Sequence, residues 1–154
     1  MMFIWRALAE RFGAKNCYLW ALIVFMAALF PFLVVNNAGP AAVFSGILGI
    51  GLAGVILLSD VLIADVIDSD RKRTGVRREG MYFGVNAVVC RFALAMEAAS
   101  IGLVFTLAKY NPVIFTQTKA FVLGLRILVA GLPMIALAIA FGIMIYYPLS
   151  RRPG

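Results

Sequence analysis

Four long apolar runs follow one another along the chain, at about 17–36, 42–67, 82–108 and 121–148, each bounded by polar or basic residues. A membrane span needs roughly 20 apolar residues, so each run predicts one transmembrane helix. The runs are continuous, whereas a barrel strand alternates over segments of about ten residues. Hydrocarbon offers no partner to an open backbone, which leaves helices as the way to cross. The pattern therefore predicts an all-α membrane protein with four transmembrane helices. Residues 1–16 form a short amphipathic piece, with Trp5 and Trp20 placed to suit a headgroup belt. That piece reads either as an interfacial approach to the first span or as the tail of an earlier helix followed by a cytoplasmic loop. Pro31 and Pro133 lie inside spans and predict kinks, since each removes a backbone donor. A short tail, 149–154, follows the last span.

Composition agrees with this pattern. Of 154 residues, 64% are hydrophobic and 14% charged, against about 45–50% and 25% in soluble domains. The mean hydropathy is +1.00. A net charge of +7 would suit a nucleic-acid ligand, but its distribution excludes one. Arg6, Arg11 and Lys15 precede the first span, and Arg71, Lys72, Arg73, Arg77 and Arg78 lie between the second and third. Arg151 and Arg152 follow the fourth, while the other side holds only Lys109 and Lys119. Lys and Arg concentrate on the cytoplasmic side of a membrane, so both termini are expected there, with the chain in the cell's inner (plasma) membrane. The sequence has no histidine, which excludes a histidine proton relay. Cys17 and Cys90 show no metal-ligand spacing and read as small buried hydrophobes. No metal site and no cofactor are expected.

The candidate chemistry lies between Asp60 and Arg91. The second span turns acidic at Asp60, Asp65 and Asp68, with Asp70 at its rim. At about 100° per residue, Asp65 and Asp68 stand about 60° apart and Asp60 within about 140° of both. With the boundary near Asp70, Asp60 lies about 15 Å deep, and Arg91 on the third span reaches a similar depth. The two are thus placed to meet at mid-membrane. A lone charge there costs on the order of 2.5–3.5 kcal/mol. Such residues face a partner or a watery cavity, and either a solute path or an internal ion pair locking two helices satisfies the demand. Glu97 sits about 120° around the helix from Arg91. Arg126, in the first turns of the fourth span, has a stem long enough to snorkel. Gly46, Gly49, Gly51 and Gly54 offer a surface for close helix approach, Gly46 and Gly54 near one face.

The segment ADVIDSDRKRTGVRREGMYFGV (64–85) closely resembles the signature between helices ten and eleven of the glycoside–pentoside–hexuronide:cation symporters, the melibiose-permease branch of the major facilitator superfamily. WRALAERFGAK (5–15) is similar to the loop before helix nine of that family. GLRILVAGLPMIALA (124–138) and YPL (147–149) are similar to its helix twelve. The resemblance implies helices 9–12 of a twelve-helix transporter. It places the family's helix-ten acids on Asp65 and Asp68, its helix-eleven lysine on Arg91, and its loop arginine and glutamate on Arg77 and Glu79, beside Arg78. In the family these groups take part in sugar binding and in coupling across the gate. Arg91 departs from the pattern, because a planar five-donor guanidinium is not an ammonium. Arg71 stands where sugar permeases of the branch can carry an acid.

The implied activity is symport of a sugar or glycoside with Na+ or H+. The family's cation site lies mostly on N-terminal helices and its sugar cavity between two bundles, so four helices are not expected to transport alone. The expected partners are the bilayer, a sugar or glycoside, and either the missing N-terminal helices or another copy of this chain. The chain reads as a C-terminal fragment, a split subunit or a truncated frame. The alternative is a non-transporting membrane fragment or assembly partner. A small dimeric exporter would need an acid in the first span, which has none. No nucleophile–base pair or phosphate-cradling glycine loop points to an enzyme.

Overall fold

The structure, a computed structural model, describes residues 2–35, 38–107 and 119–146. It comprises α1 (Met2–Phe12), α2 (Ala14–Leu29) continued by a 3-10 turn (Phe30–Leu33), α3 (Ala38–Thr74), α4 (Glu79–Leu107), α5 (Lys119–Arg126), a π-helical turn (Ile127–Gly131) and α6 (Leu132–Tyr146). Among the described residues there is no strand, and four helical segments are long and apolar enough to cross a membrane: Ala14–Leu33, Gly39–Thr74, Glu79–Leu107 and Phe121–Tyr146. Lys109, Arg151, Arg152 and the 149–154 tail, together with the outermost residues of the third and fourth predicted spans, lie outside the described residues.

The two in-span prolines distort their helices in different ways. Pro31 sits within the 3-10 turn that ends the first span. Pro133 follows the π turn of the fourth, two residues beyond its last member Gly131. Proline supplies no N–H to the preceding turn, and tightening or widening that turn are the two ways of accommodating the gap. Ala130, inside the π turn, is fully buried.

Packing is concentrated on α2. Gly51 and Gly54 of α3 let the two helices approach closely: a Cβ on Gly51 would stand 2.8 Å from the Phe25 Cα, and one on Gly54 2.9 Å from the Ala21 Cβ. The four glycines thus divide, because Gly46 and Gly49 face open space with nothing within 4 Å of such a Cβ. Close approach comes from the Gly51/Gly54 pair, and the expected Gly46–Gly54 face is not the packed one.

The amphipathic segment packs against α2 and α3. Gly13, at φ 84°, reverses the chain, and α1 folds back beside α2 so that Trp5 reaches the middle of α3. There its ring covers Gly54, its Nε1 donates to the Ile50 carbonyl at 3.1 Å, and only 8% of it is exposed. Trp5 is therefore a core residue and not part of a belt, because the glycine face of α3 leaves a slot that a large flat ring fills. Trp20 is exposed as a belt residue should be.

The fourth span runs antiparallel to the first and is fastened to it at both ends. Lys15, opening α2, donates from Nζ to the Ile145 carbonyl near the end of α6 at 3.0 Å. Arg126, closing α5, donates from Nη1 to the Leu33 carbonyl at 3.0 Å. Each cation meets a carbonyl at a helix C-terminus, where the intrahelical acceptors run out and the dipole is negative. Arg126 thus turns inward to cap the first span and does not snorkel. α4 is the exception to this packing. None of its residues is buried, and it touches the bundle through α3, to which the turn joins it, and through α5 and the π turn of the fourth span. There Phe105 and Phe121 stack at 5.4 Å, and Gly124 makes room for Val104.

Candidate functional site

α3 and α4 form a long helical hairpin that carries the charged residues. α3 has 37 residues and α4 has 29, about 55 and 43 Å at 1.5 Å per residue, against a hydrocarbon core of about 30 Å. Their joined ends stand clear of that core and present the basic turn to water. The turn is closed locally. Gly75, at φ 74°, donates its N–H to the Arg71 carbonyl at 2.9 Å, the left-handed cap that glycine accepts without a Cβ penalty. Thr74 Oγ1 bonds the Asp70 carbonyl at 2.9 Å. The Arg78 carbonyl receives the N–H groups of Met81 and Tyr82 and so opens α4. Arg71, Lys72 and Arg73 occupy the last turn of α3 and Glu79 the first turn of α4, each on the side of the helix dipole that favours it.

Arg77 and Glu79 form an ion pair across two residues of the turn. Arg78 is exposed beside them and, among the described residues, forms no ion pair. The three turn residues singled out from the sequence therefore sit together at the mouth of the hairpin.

The residues deeper in the membrane are arranged otherwise. Asp60 and Arg91 form no ion pair among the described residues, and both side chains are exposed. Their expected depths match by residue count, but their directions do not. Arg91 is nine residues from both Tyr82 and Ser100, two and a half turns, and so lies on the opposite side of α4 from these half-exposed residues. Around it are Gly84, Ala87, Ala95 and Gly102, all exposed, and neither glycine has a neighbour within 4 Å of a Cβ. On α3, Asp60 shares an open face with Gly49, Ile56 and Ala64, which closes over at the buried Ile67. Of the wall that meets α4, Ile63 stands about 60° around the helix from Asp60, and Val66 and Leu62 about 120° and 160°. Asp68 is exposed toward that same open side, whereas Asp65 is half-buried on the side facing α2. The acids thus divide between an open face and a packed one. Glu97 is exposed on α4, and Cys90 is exposed beside Arg91 while Cys17 is buried, so only Cys17 fits the reading as a core hydrophobe.

Between α3 and α4, on neither charged face, runs an apolar groove of about 370 Å³. It is lined by Leu62, Ile63 and Val66, by Tyr82, Val85, Asn86 and Val89, and at one end by Met144 of α6. Sequence reasoning missed this groove. Periodicity alone does not say which neighbour Tyr82, Val85, Asn86 and Val89 face, so no spacing in the sequence pointed to it. Among the described residues no cluster of three or more metal-ligating acids or cysteines forms.

Known proteins place this arrangement. The chain is similar, at 27% identity over 158 residues, to an uncharacterized symporter of Synechocystis sp., with 98% of this chain and 29% of the relative aligned. The chain thus spans less than a third of the length of the relative it matches. No solved structure matches it. The match that decides the family covers residues 1–151, nearly the whole sequence including the hairpin and its charges, and by it the chain belongs to the MFS/sugar transport protein family.

Proposed function

We propose that this chain provides four C-terminal helices of a sugar or glycoside:cation symporter, coupled to Na+ or H+, and that it works only when further helices cover its open faces. The observation that carries the reading is α4: a span with no buried residue that holds Arg91 and Glu97 within its apolar length. A charge at that depth is costly against lipid, so the Arg91 side of α4 and the Asp60–Asp68 side of α3 favour a polar cavity completed by other helices over contact with acyl chains. Transporters of this kind rock one bundle against another around a central site. One bundle half cannot do this alone. Asp60, Asp65, Asp68 and Arg91 are the proposed substrate and coupling groups, with Arg77, Arg78 and Glu79 at the cytoplasmic gate. The basic turn and both termini face the cytoplasm in this reading, with the chain in the inner membrane.

Uptake of labelled sugars and glycosides by cells carrying the chain together with the remaining helices tests the proposal. Arg91→Ala should abolish uptake while membrane insertion persists. Uptake unchanged by Arg91→Ala removes Arg91 from the mechanism. Uptake unchanged when this chain is deleted and the remaining helices are kept would make it a non-transporting assembly partner.

A further inference from the structure

The groove between α3 and α4 lies directly beneath the basic turn. Its lining runs from Tyr82, about 5 Å into α4, to Leu62, about 20 Å below Gly75, by the 1.5 Å rise. That interval matches one leaflet of a hydrocarbon core about 30 Å thick. The lining is apolar apart from Tyr82 and Asn86, which lie toward its upper part, where the glycerol esters of a lipid would come to rest. At about 30 Å³ per water-sized group, a methylene being similar, 370 Å³ holds roughly a dozen carbons of one acyl chain.

Charge sits above the same walls. Arg73 is seven residues beyond Val66, two turns higher on the same face of α3, and Arg78 is seven residues before Val85 on the α4 side. Both are exposed, and neither forms an ion pair among the described residues. The turn carries Arg71, Lys72, Arg73, Arg77 and Arg78 against Asp70 and Glu79, and Glu79 is taken by Arg77. A phosphate placed over the groove would find donors on both sides.

We propose that this groove and turn form a binding site for one anionic phospholipid, with its phosphate between Arg73 and Arg78 and one acyl chain along Val66, Val85 and Val89. The site shares Arg78 with the proposed gate and no residue with the proposed substrate groups. It lies on the opposite side of α4 from Arg91 and makes no use of the acids on α3. An apolar cleft alone would accept any chain. The basic rim selects for negative headgroups, and the depth of the cleft holds the lipid beyond the diffuse attraction that any polybasic segment exerts.

Native mass spectrometry of the purified chain, released from micelles containing equal phosphatidylglycerol and phosphatidylcholine, reads the site directly. One phosphatidylglycerol should be retained in preference to phosphatidylcholine. Near a surface each cation favours an anionic lipid by about fivefold, so R73Q/R78Q should lower that preference at least about tenfold. Val85→Trp, which fills the groove from an exposed position, should lower retention of both lipids and leave the charges intact. As a second readout, Val89→Trp should fluoresce, after subtraction of the native tryptophans, with stronger quenching by brominated phosphatidylglycerol than by brominated phosphatidylcholine. Retention indifferent to the headgroup overturns the proposal. So does headgroup preference that survives Val85→Trp, since the turn alone would then account for it. Equal quenching of Val89→Trp by the two lipids overturns it as well.

Discussion

The first two spans and the third make opposite uses of small residues. On α3, Gly51 and Gly54 are occupied: the Phe25 backbone and the Trp5 ring stand where their side chains would be. On α4, Gly80, Gly84 and Gly102 look onto nothing within 4 Å. The first arrangement is finished packing, in which two backbones meet through missing Cβ atoms. The second has the same composition with the neighbour absent, and it surrounds a charge. A small-residue face on a membrane helix is thus a statement about what must cover it: among the described residues the Gly51/Gly54 face has its cover, and the face around Arg91 does not.

The sharpest test of that contrast is to fill both kinds of site. Gly54→Leu should cost about 3 kcal/mol or more of stability, the upper range for overpacking, measured as unfolding of the purified chain in mixed micelles. Gly84→Leu in the same assay should stay within about 0.5 kcal/mol. If both are equally damaging, α4 is already covered and the contrast fails. With the remaining helices present, Gly84→Leu should become harmful, read as lost uptake.

A smaller effect is expected at the fastenings between the first and fourth spans. Lys15→Met and Arg126→Met each remove a hydrogen bond from a charged donor, worth about 1.5–3 kcal/mol when sheltered. Both residues are half-buried, but the Arg126 bond is part-buried and the Lys15 bond exposed, so Arg126 should stand toward the upper end and Lys15 toward the lower. An equal loss at both sites would show that burial does not grade these bonds. The smallest effect is at the far end of α4, where Phe105→Ala breaks the stack on Phe121. A loss of about 1 kcal/mol should appear in unfolding, with earlier proteolysis of α4 than of α2.

Much of the fold was legible because the bilayer imposes length. Four apolar runs became four spans, and Pro31 and Pro133 marked the two places where the helical bonding pattern changes. Counting residues at a fixed rise gives Asp60 and Arg91 matching expected depths. Direction was not legible. The azimuth of a helix is set by what it packs against, and Arg91 points away from α3 because Tyr82, Asn86 and Val89 face the groove instead. Trp5 was misplaced for a related reason. An amphipathic stretch with a terminal tryptophan fits a headgroup belt, and only the chain reversal at Gly13 and the slot over Gly54 send the ring inward. The Arg77–Glu79 ion pair requires no tertiary knowledge, since the two residues are nearly adjacent, yet the resemblance placed both residues without pairing them.

The wide turn at Ile127–Gly131 works as a phase shifter. In an unbroken α-helix Arg126 and Ile145 would leave the axis about 100° apart. A π turn absorbs one residue of winding, close to that same 100°, and brings the two ends of the span into step. The fourth helix can then meet the first at Leu33 and at Lys15 together. Closing the turn to α geometry with every residue kept would put the two ends about 100° out of phase, whereas deleting one residue of the turn should leave an ordinary helix whose ends still meet Leu33 and Lys15 together. An irregularity of five residues thereby sets how a whole span docks, much as a half-tooth offset sets where two gears mesh.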